Sequence, residues 1–159
     1  MAYVMNQACN PQALAEQEFA TPTGLLDYAI TTTLNSCIGV AVRVGNRFMV
    51  AHLVMYGQQI PYVSPANLQI FNPADADTVF AYIDSLRLQE NSANFDEAIL
   101  FGATDEWRNT GGALTNGYNR LRDLIRQRNN NQAPVSNDTG DGKHIIRIQG
   151  GNLNIRNIG

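Results

Sequence analysis

Two cysteines, two histidines and one tryptophan are the whole stock of these side chains in the sequence. Cys9 and Cys37 are too few for a disulfide framework, and neither has a second ligand at metal-binding spacing, so neither metal nor cofactor is expected. Long apolar runs are missing as well: no stretch approaches the roughly 20 residues a membrane-spanning helix needs, so no membrane insertion is expected. The N-terminus lacks the basic region and apolar core of a secretory signal. Synthesis in a cytoplasm is expected, with export by a signal-less route left open. Excess positive charge is also absent, and a net charge of -3 argues against a general nucleic-acid binder. Internal repeats and low-complexity segments are not found.

What is present suits one globular domain. The chain has 159 residues, of which 44% are apolar and 16% charged, enough for a real core and too apolar for disorder. Residues 1–24 are weakly patterned and read as an N-terminal segment packed on a domain spanning 25–159. Strands are expected near 25–30, 37–44, 47–56, 98–103, 145–149 and 152–156, and helices near 73–88 and 113–128. That mix is α+β.

The stretch Thr31 to His52, TTTLNSCIGVAVRVGNRFMVAH, organises the rest. A polar loop with Thr31, Thr32, Thr33, Asn35 and Ser36 leads to Cys37. Two β-rich runs then flank Gly45-Asn46, which reads as a hairpin turn. With that turn, Val44 faces Arg47 and Cys37 falls opposite Val54. His52 then shares a face with Cys37 as its diagonal neighbour, with Cα atoms roughly 7–8 Å apart. An imidazole at that distance can take the thiol proton and stabilise a thiolate, provided another group orients its second nitrogen. The nearest candidate in sequence is the Thr31–Thr33 loop. A lone cysteine in an apolar strand is most often a small buried hydrophobe, and a lone strand histidine is more often a hydrogen-bonded core or surface residue. Composition and spacing leave both readings open.

The remaining segments read more plainly. Asn10-Pro11 suits a cap and first turn for a short helix over Gln12–Phe19. Thr21 to Gly24 reads as a turn. Cys9 reads as a solvated or half-buried thiol. Gly57 to Pro65 is a loop, either a plain connector or the border of a groove. Asn72-Pro73 opens the clearest helix, with Ala76, Val79, Phe80, Ile83 and Leu86 as its core stripe and Asp84, Arg87 and Glu90 on a solvated face. Thr104 to Gly112 is expected as a loop, and its Trp107 as a binding surface or half-buried anchor. Leu114, Tyr118, Leu121 and Ile125 mark a second helix. Its arginines, Arg120, Arg122, Arg126 and Arg128, suit a solvated face, a phosphate site or a basic rim for an acidic partner. Asn137 to Lys143 reads as a turn-rich loop. Gly150-Gly151 closes a hairpin pairing Ile148 with Leu153 and Ile146 with Ile155, with His144 expected at the surface.

Several of these segments together resemble a known family. TTTLNSCIGVAV is similar to the T-x-x-L-G-S-C-V-A-V segment of the CheD chemoreceptor glutamine deamidases, with Thr31 six residues before Cys37. The Cys–His arrangement is also similar to that of cytotoxic necrotising factor toxins and related deamidase effectors. ILFGA resembles the family's K-I-F-G-G-A strand. NGYNRLRDLI resembles its G-x-x-N helix, with Asn119 as the asparagine. NDTGDGKHIIRIQGGNLNIRN is similar to its closing segment and hairpin. Asn35 stands where the family has glycine, FMVA replaces G-G-M before the histidine, and Lys143 or His144 replaces the closing arginine.

The resemblance implies a mixed β-sandwich with helices outside. It also implies hydrolysis of a glutamine side-chain amide on a protein, by a signalling enzyme or an effector. Cys37 would be the nucleophile, His52 the base, and Thr31 the orienting group, with Ser36 and Asn35 supporting the oxyanion. The partner would be a protein with an exposed glutamine. Two alternatives stay open: a non-catalytic binding module, and a cysteine peptidase or transglutaminase using the same dyad.

Overall fold

The computed structural model describes residues 2–22, 27–60 and 68–159. The chain begins with β1 (Ala2–Tyr3), β2 (Asn6–Gln7), β3 (Glu18–Ala20), β4 (Tyr28–Ile30), β5 (Ile38–Val44) and β6 (Arg47–Leu53). Three short strands follow, β7 (Tyr56–Gly57), β8 (Gln59–Ile60) and β9 (Gln69–Ile70). Then come α1 (Pro73–Gln89), β10 (Glu97–Gly102), α2 (Thr104–Asn109), α3 (Gly112–Gln127), β11 (Val135–Asp138), β12 (His144–Gln149) and β13 (Asn152–Asn157). The class is α+β. The expected strand start at Leu25-Leu26, the end of the Thr21–Gly24 turn and the loop beyond Ile60 lie outside the described residues.

A six-stranded sheet, ordered β11-β10-β5-β6-β3-β2, forms the centre. It is mixed: β10 runs parallel to β11 and β2 to β3, and the inner pairings are antiparallel. The β5–β6 hairpin has the register that the Gly45-Asn46 turn implies, with Val44 facing Arg47 and Ile38 facing Leu53. Side chains alternate between faces, so Ile38, Val40 and Val42 share one face with Leu53, Ala51 and Met49. Gly39 and Ala41 share the other with His52, Val50 and Phe48. Both sets are buried. Cover on both sides is why these strands read as nearly unbroken apolar runs.

The second layer is a three-stranded antiparallel sheet, β13-β12-β4. Its hairpin has the expected register, Ile148 with Leu153 and Ile146 with Ile155. It packs on the Gly39–His52 face, where the Phe101 ring lies 5.3 Å from the His144 ring and the Leu153 N–H donates to Glu97 Oε1 at 3.0 Å. Helix α1 covers the opposite face against β5 and β6, with α3 packed on α1. The Asn72–Asp75 capping box and Pro73 start α1 as expected, and Ala76, Val79, Ile83 and Leu86 are buried.

Four expectations need correction. Residues 12–19 do not form a helix: a single 3-10 turn at Pro11–Ala13 gives way to β3, because the segment bonds to β6 as an extended strand. Strands β2 and β3 of the N-terminal segment therefore belong to the central sheet, while β1 pairs with β8. Thr104–Asn109 is a helix, and Trp107 on it is fully buried. Part of the loop expected at 137–143 is strand, since β11 reaches Asp138 beside β10. Arg87 is buried, with Nε and Nη2 on the Asp84 carboxylate at 2.7 and 2.8 Å and Nη1 on the Ser92 carbonyl at 3.0 Å, fastening the end of α1 to the next connector.

Gly39 lets Phe101 lie flat on the sheet: a Cβ there would meet the ring at 2.0 Å. Gly39→Ala is expected to lower stability by about 1–3 kcal/mol through overpacking. Urea unfolding should register this loss, and Phe101→Leu in the same chain should recover part of it. At Gly45 φ is +59° and a Cβ would meet nothing within 4 Å, so Gly45→Ala should cost only the left-handed backbone strain, about 1 kcal/mol.

Candidate active site

His52 sits on β6 and is fully buried. Its Nδ1 lies 3.0 Å from the Leu14 carbonyl, an acceptor only, so Nδ1 carries the proton and donates. Nε2 is then the lone-pair nitrogen, and it is buried without a partner among the described residues. Leu14 is itself held on both sides. Its N–H donates to the Ile30 carbonyl at 2.8 Å, and its carbonyl also accepts the Thr32 N–H at 2.9 Å and the Thr32 hydroxyl at 3.4 Å. Burial lowers the His52 pKa against the opposing effects of the Leu14 bond and of Glu16 and Glu18, so the ring is neutral near pH 7.

Cys37 precedes β5, and continuing the hairpin register places it opposite Val54 on the face that carries His52. With Glu16, Asn35, Ser36, Val54, Met55 and Tyr56 it lines a cleft of about 350 Å³. The Cys37 thiol donates to the Asn35 carbonyl at 3.4 Å rather than to His52. Burial, with the carboxylates of Glu16, Asp141 and Glu106, pushes its pKa up to about 11. Cys37 is therefore a thiol at neutral pH, on the same face as the imidazole but not bonded to it.

The residue before it is clamped. Ser36 has φ +56°, its N–H donates to Asp141 Oδ1 at 2.9 Å, and its carbonyl accepts the Trp107 indole N–H at 2.9 Å. The Ser36 N–H is thus committed to Asp141. Asn35 is exposed, and both Asn35 and Ser36 line the cleft. Sequence reasoning missed Trp107 and Glu16 as parts of this site. The single tryptophan was the only signal for the first, and nothing marked the second.

Thr31 does not orient His52. Its N–H donates to the His144 carbonyl at 2.9 Å and its hydroxyl accepts the His144 N–H at 3.1 Å. The orienting carbonyl is that of Leu14, because a parallel bridge sets Leu14 beside Thr31 and turns its carbonyl to Thr32 and the ring. His144 is likewise not at the surface. It is fully buried, with Nδ1 3.1 Å from the Gly142 carbonyl and Nε2 2.8 Å from Thr139 Oγ1. Both ring nitrogens are occupied, so it holds the loop before β12 and has no lone pair to offer. Cys9 is exposed. Arg120 pairs with Asp77 and Arg126 with Asp123 on the surface, which fits the solvated reading of α3.

Among the described residues no three His, Cys, Asp or Glu side chains are grouped to hold a metal ion, and no helix is long and apolar enough to cross a membrane. Compared with models of known protein families and with curated proteins, the chain matches none.

Both histidines are held neutral by burial, with pKa values below the ordinary 6.5. The unfolded chain therefore binds more protons than the folded one below that pH, and stability falls as pH drops through it. The urea midpoint is expected to hold above about pH 7 and to decline below about 6.5. The decline should be shallower in His144→Gln, which removes one of the two groups.

Proposed function

We propose that the chain is a cysteine-dependent protein-glutamine deamidase with a CheD-like deamidase fold. The observation that carries this reading is the unpartnered, fully buried Nε2 of His52 on the same face as Cys37. A buried nitrogen lone pair without a donor costs about 1–3 kcal/mol. Such a cost fits a base that waits for a proton.

In the reaction, the Cys37 thiol leaves the Asn35 carbonyl and turns to His52. Nε2 takes its proton, and the thiolate attacks the amide carbon of a glutamine seated in the cleft. The Leu14 carbonyl keeps its bond to Nδ1–H, so it stabilises the imidazolium and fixes the ring. The Asn35 side-chain amide and the Ser36 hydroxyl are the donors at hand for the oxyanion. Collapse of the tetrahedral intermediate passes the Nε2 proton to the departing ammonia. Water, deprotonated by His52, then splits the thioester to give glutamate and the free thiol.

A second reading has its own support. The thiol rests on a carbonyl with its pKa near 11, as in a site that only binds a protein partner. Reactivity separates the two. For the enzyme, Cys37 should alkylate faster than Cys9 at mildly acidic pH and slow down in His52→Ala. For the binding module, Cys9 reacts first.

Deamidation of a target should add about one dalton per event, the mass difference of amide and acid, visible by mass spectrometry. Cys37→Ser should abolish the gain. His52→Gln should slow it about 10²–10⁴-fold, the usual contribution of a general base. Activity should also fall on the acid side only below the ordinary histidine range, because the His52 pKa is lowered. Equal activity in Cys37→Ser would end the assignment.

A further inference from the structure

We propose that the cleft over Cys37 receives an extended, positively charged protein segment, so that the glutamine acted on has lysine or arginine beside it, with Glu16 as the specificity-determining residue. This rests on the deamidase reading above and names its substrate class.

Glu16 is exposed, lines the cleft and has no ion-pair partner among the described residues. Two more carboxylates, on other elements, lie near enough to act on Cys37 though they do not line the cleft. Asp141, on the loop between β11 and β12, bonds the Ser36 N–H at 2.9 Å. Glu106, on α2, adjoins Trp107, whose indole bonds the Ser36 carbonyl at 2.9 Å. All three act on the Cys37 sulfur. Of the cations on the same elements, Arg108 is paired with Asp105, and Lys143, two residues after Asp141, is exposed to solvent. Carboxylates on converging elements give the mouth a negative field that concentrates cationic segments.

The rest of the cleft suits such a guest. Tyr56 is 59% exposed at the rim, where its ring can take a lysine or arginine head by cation–π contact. Val54 and Met55 supply an apolar wall for aliphatic stems. Cys37 itself lines this cleft, and the fully buried His52 lies behind it on the same face of the sheet.

The test reads charge at the sulfur first, without needing turnover. In a Cys9→Ser background, Cys37 is labelled with two methanethiosulfonates of similar size, one bearing trimethylammonium and one sulfonate. The cationic reagent should react at least ~10-fold faster at low salt. The preference should shrink as salt rises, fall severalfold in Glu16→Gln, and stay in the distant Asp77→Asn. Matched peptides with glutamine between lysines or between glutamates are then assayed for the dalton gain, and the lysine peptide should turn over faster.

A rate ratio at or below one would overturn the proposal, and no labelling by either reagent would overturn both it and the deamidase reading. A cationic preference with no deamidation of either peptide would sink the deamidase and leave recognition of a basic segment standing. Equal turnover of both peptides would keep the deamidase and remove the specificity.

Discussion

The hydrogen bond from His52 Nδ1 to the Leu14 carbonyl decides what the other ring nitrogen can do. A carbonyl only accepts, so the proton is fixed on Nδ1 and the lone pair on Nε2. Ring orientation follows from the same contact. The carbonyl is in turn fixed by Thr32, and Gln17 N–H reaches the His52 carbonyl at 2.8 Å, so ring and acceptor move as one piece. The tautomer and orientation of His52 rest on this arrangement, and its anchor lies in the N-terminal segment. The segment and the hairpin are one structural unit: without β3 on the edge of β6, His52 would lose both its backbone neighbour and its tautomer.

His144 is the useful contrast. It is also fully buried, and burial likewise holds its ring neutral. Yet its two nitrogens meet a carbonyl and a hydroxyl, and the Thr139 hydroxyl also accepts the Gly102 N–H at 2.8 Å. A satisfied buried imidazole stabilises the loop it bridges, and an unsatisfied one carries a standing cost. Burial alone does not distinguish the satisfied histidine from the unsatisfied one here. The accounting of each nitrogen does.

The same distinction explains what the amino-acid order could reveal. Both hairpins were legible because a Gly-containing turn sets a register that the apolar alternation can check, at Gly45-Asn46 and again at Gly150-Gly151. Helix α1 was legible from its Asn-Pro start and its stripe. Strand β11 was not, because Val135, Asn137 and Asp138 are exposed at the sheet edge and the segment reads as a polar loop. Helix α2 is six residues long, too short for a helical period to declare itself. The face shared by Cys37 and His52 followed from counting. The group that holds His52 did not, since a backbone carbonyl leaves no mark in a sequence, and the threonine that seemed to fill the role bonds His144 instead.

The clamp on Ser36 then bears on how a resting thiol becomes a nucleophile in the proposed mechanism. A non-glycine residue at φ +56° carries about 1–2 kcal/mol of strain, and it persists only where neighbours over-determine it. Asp141 and the Trp107 indole do so, taking the Ser36 N–H and carbonyl, while the Ala103 N–H holds the Cys37 carbonyl at 3.0 Å. With the peptides on both sides of Cys37 pinned, the main freedom left to it is rotation of its side chain. The bond to release is a thiol-to-carbonyl contact at 3.4 Å, worth at most about 1 kcal/mol. Release of that contact therefore asks for a rotamer change on a rigid frame, and in the proposed mechanism it is this rotation that would turn the sulfur toward the lone pair of His52.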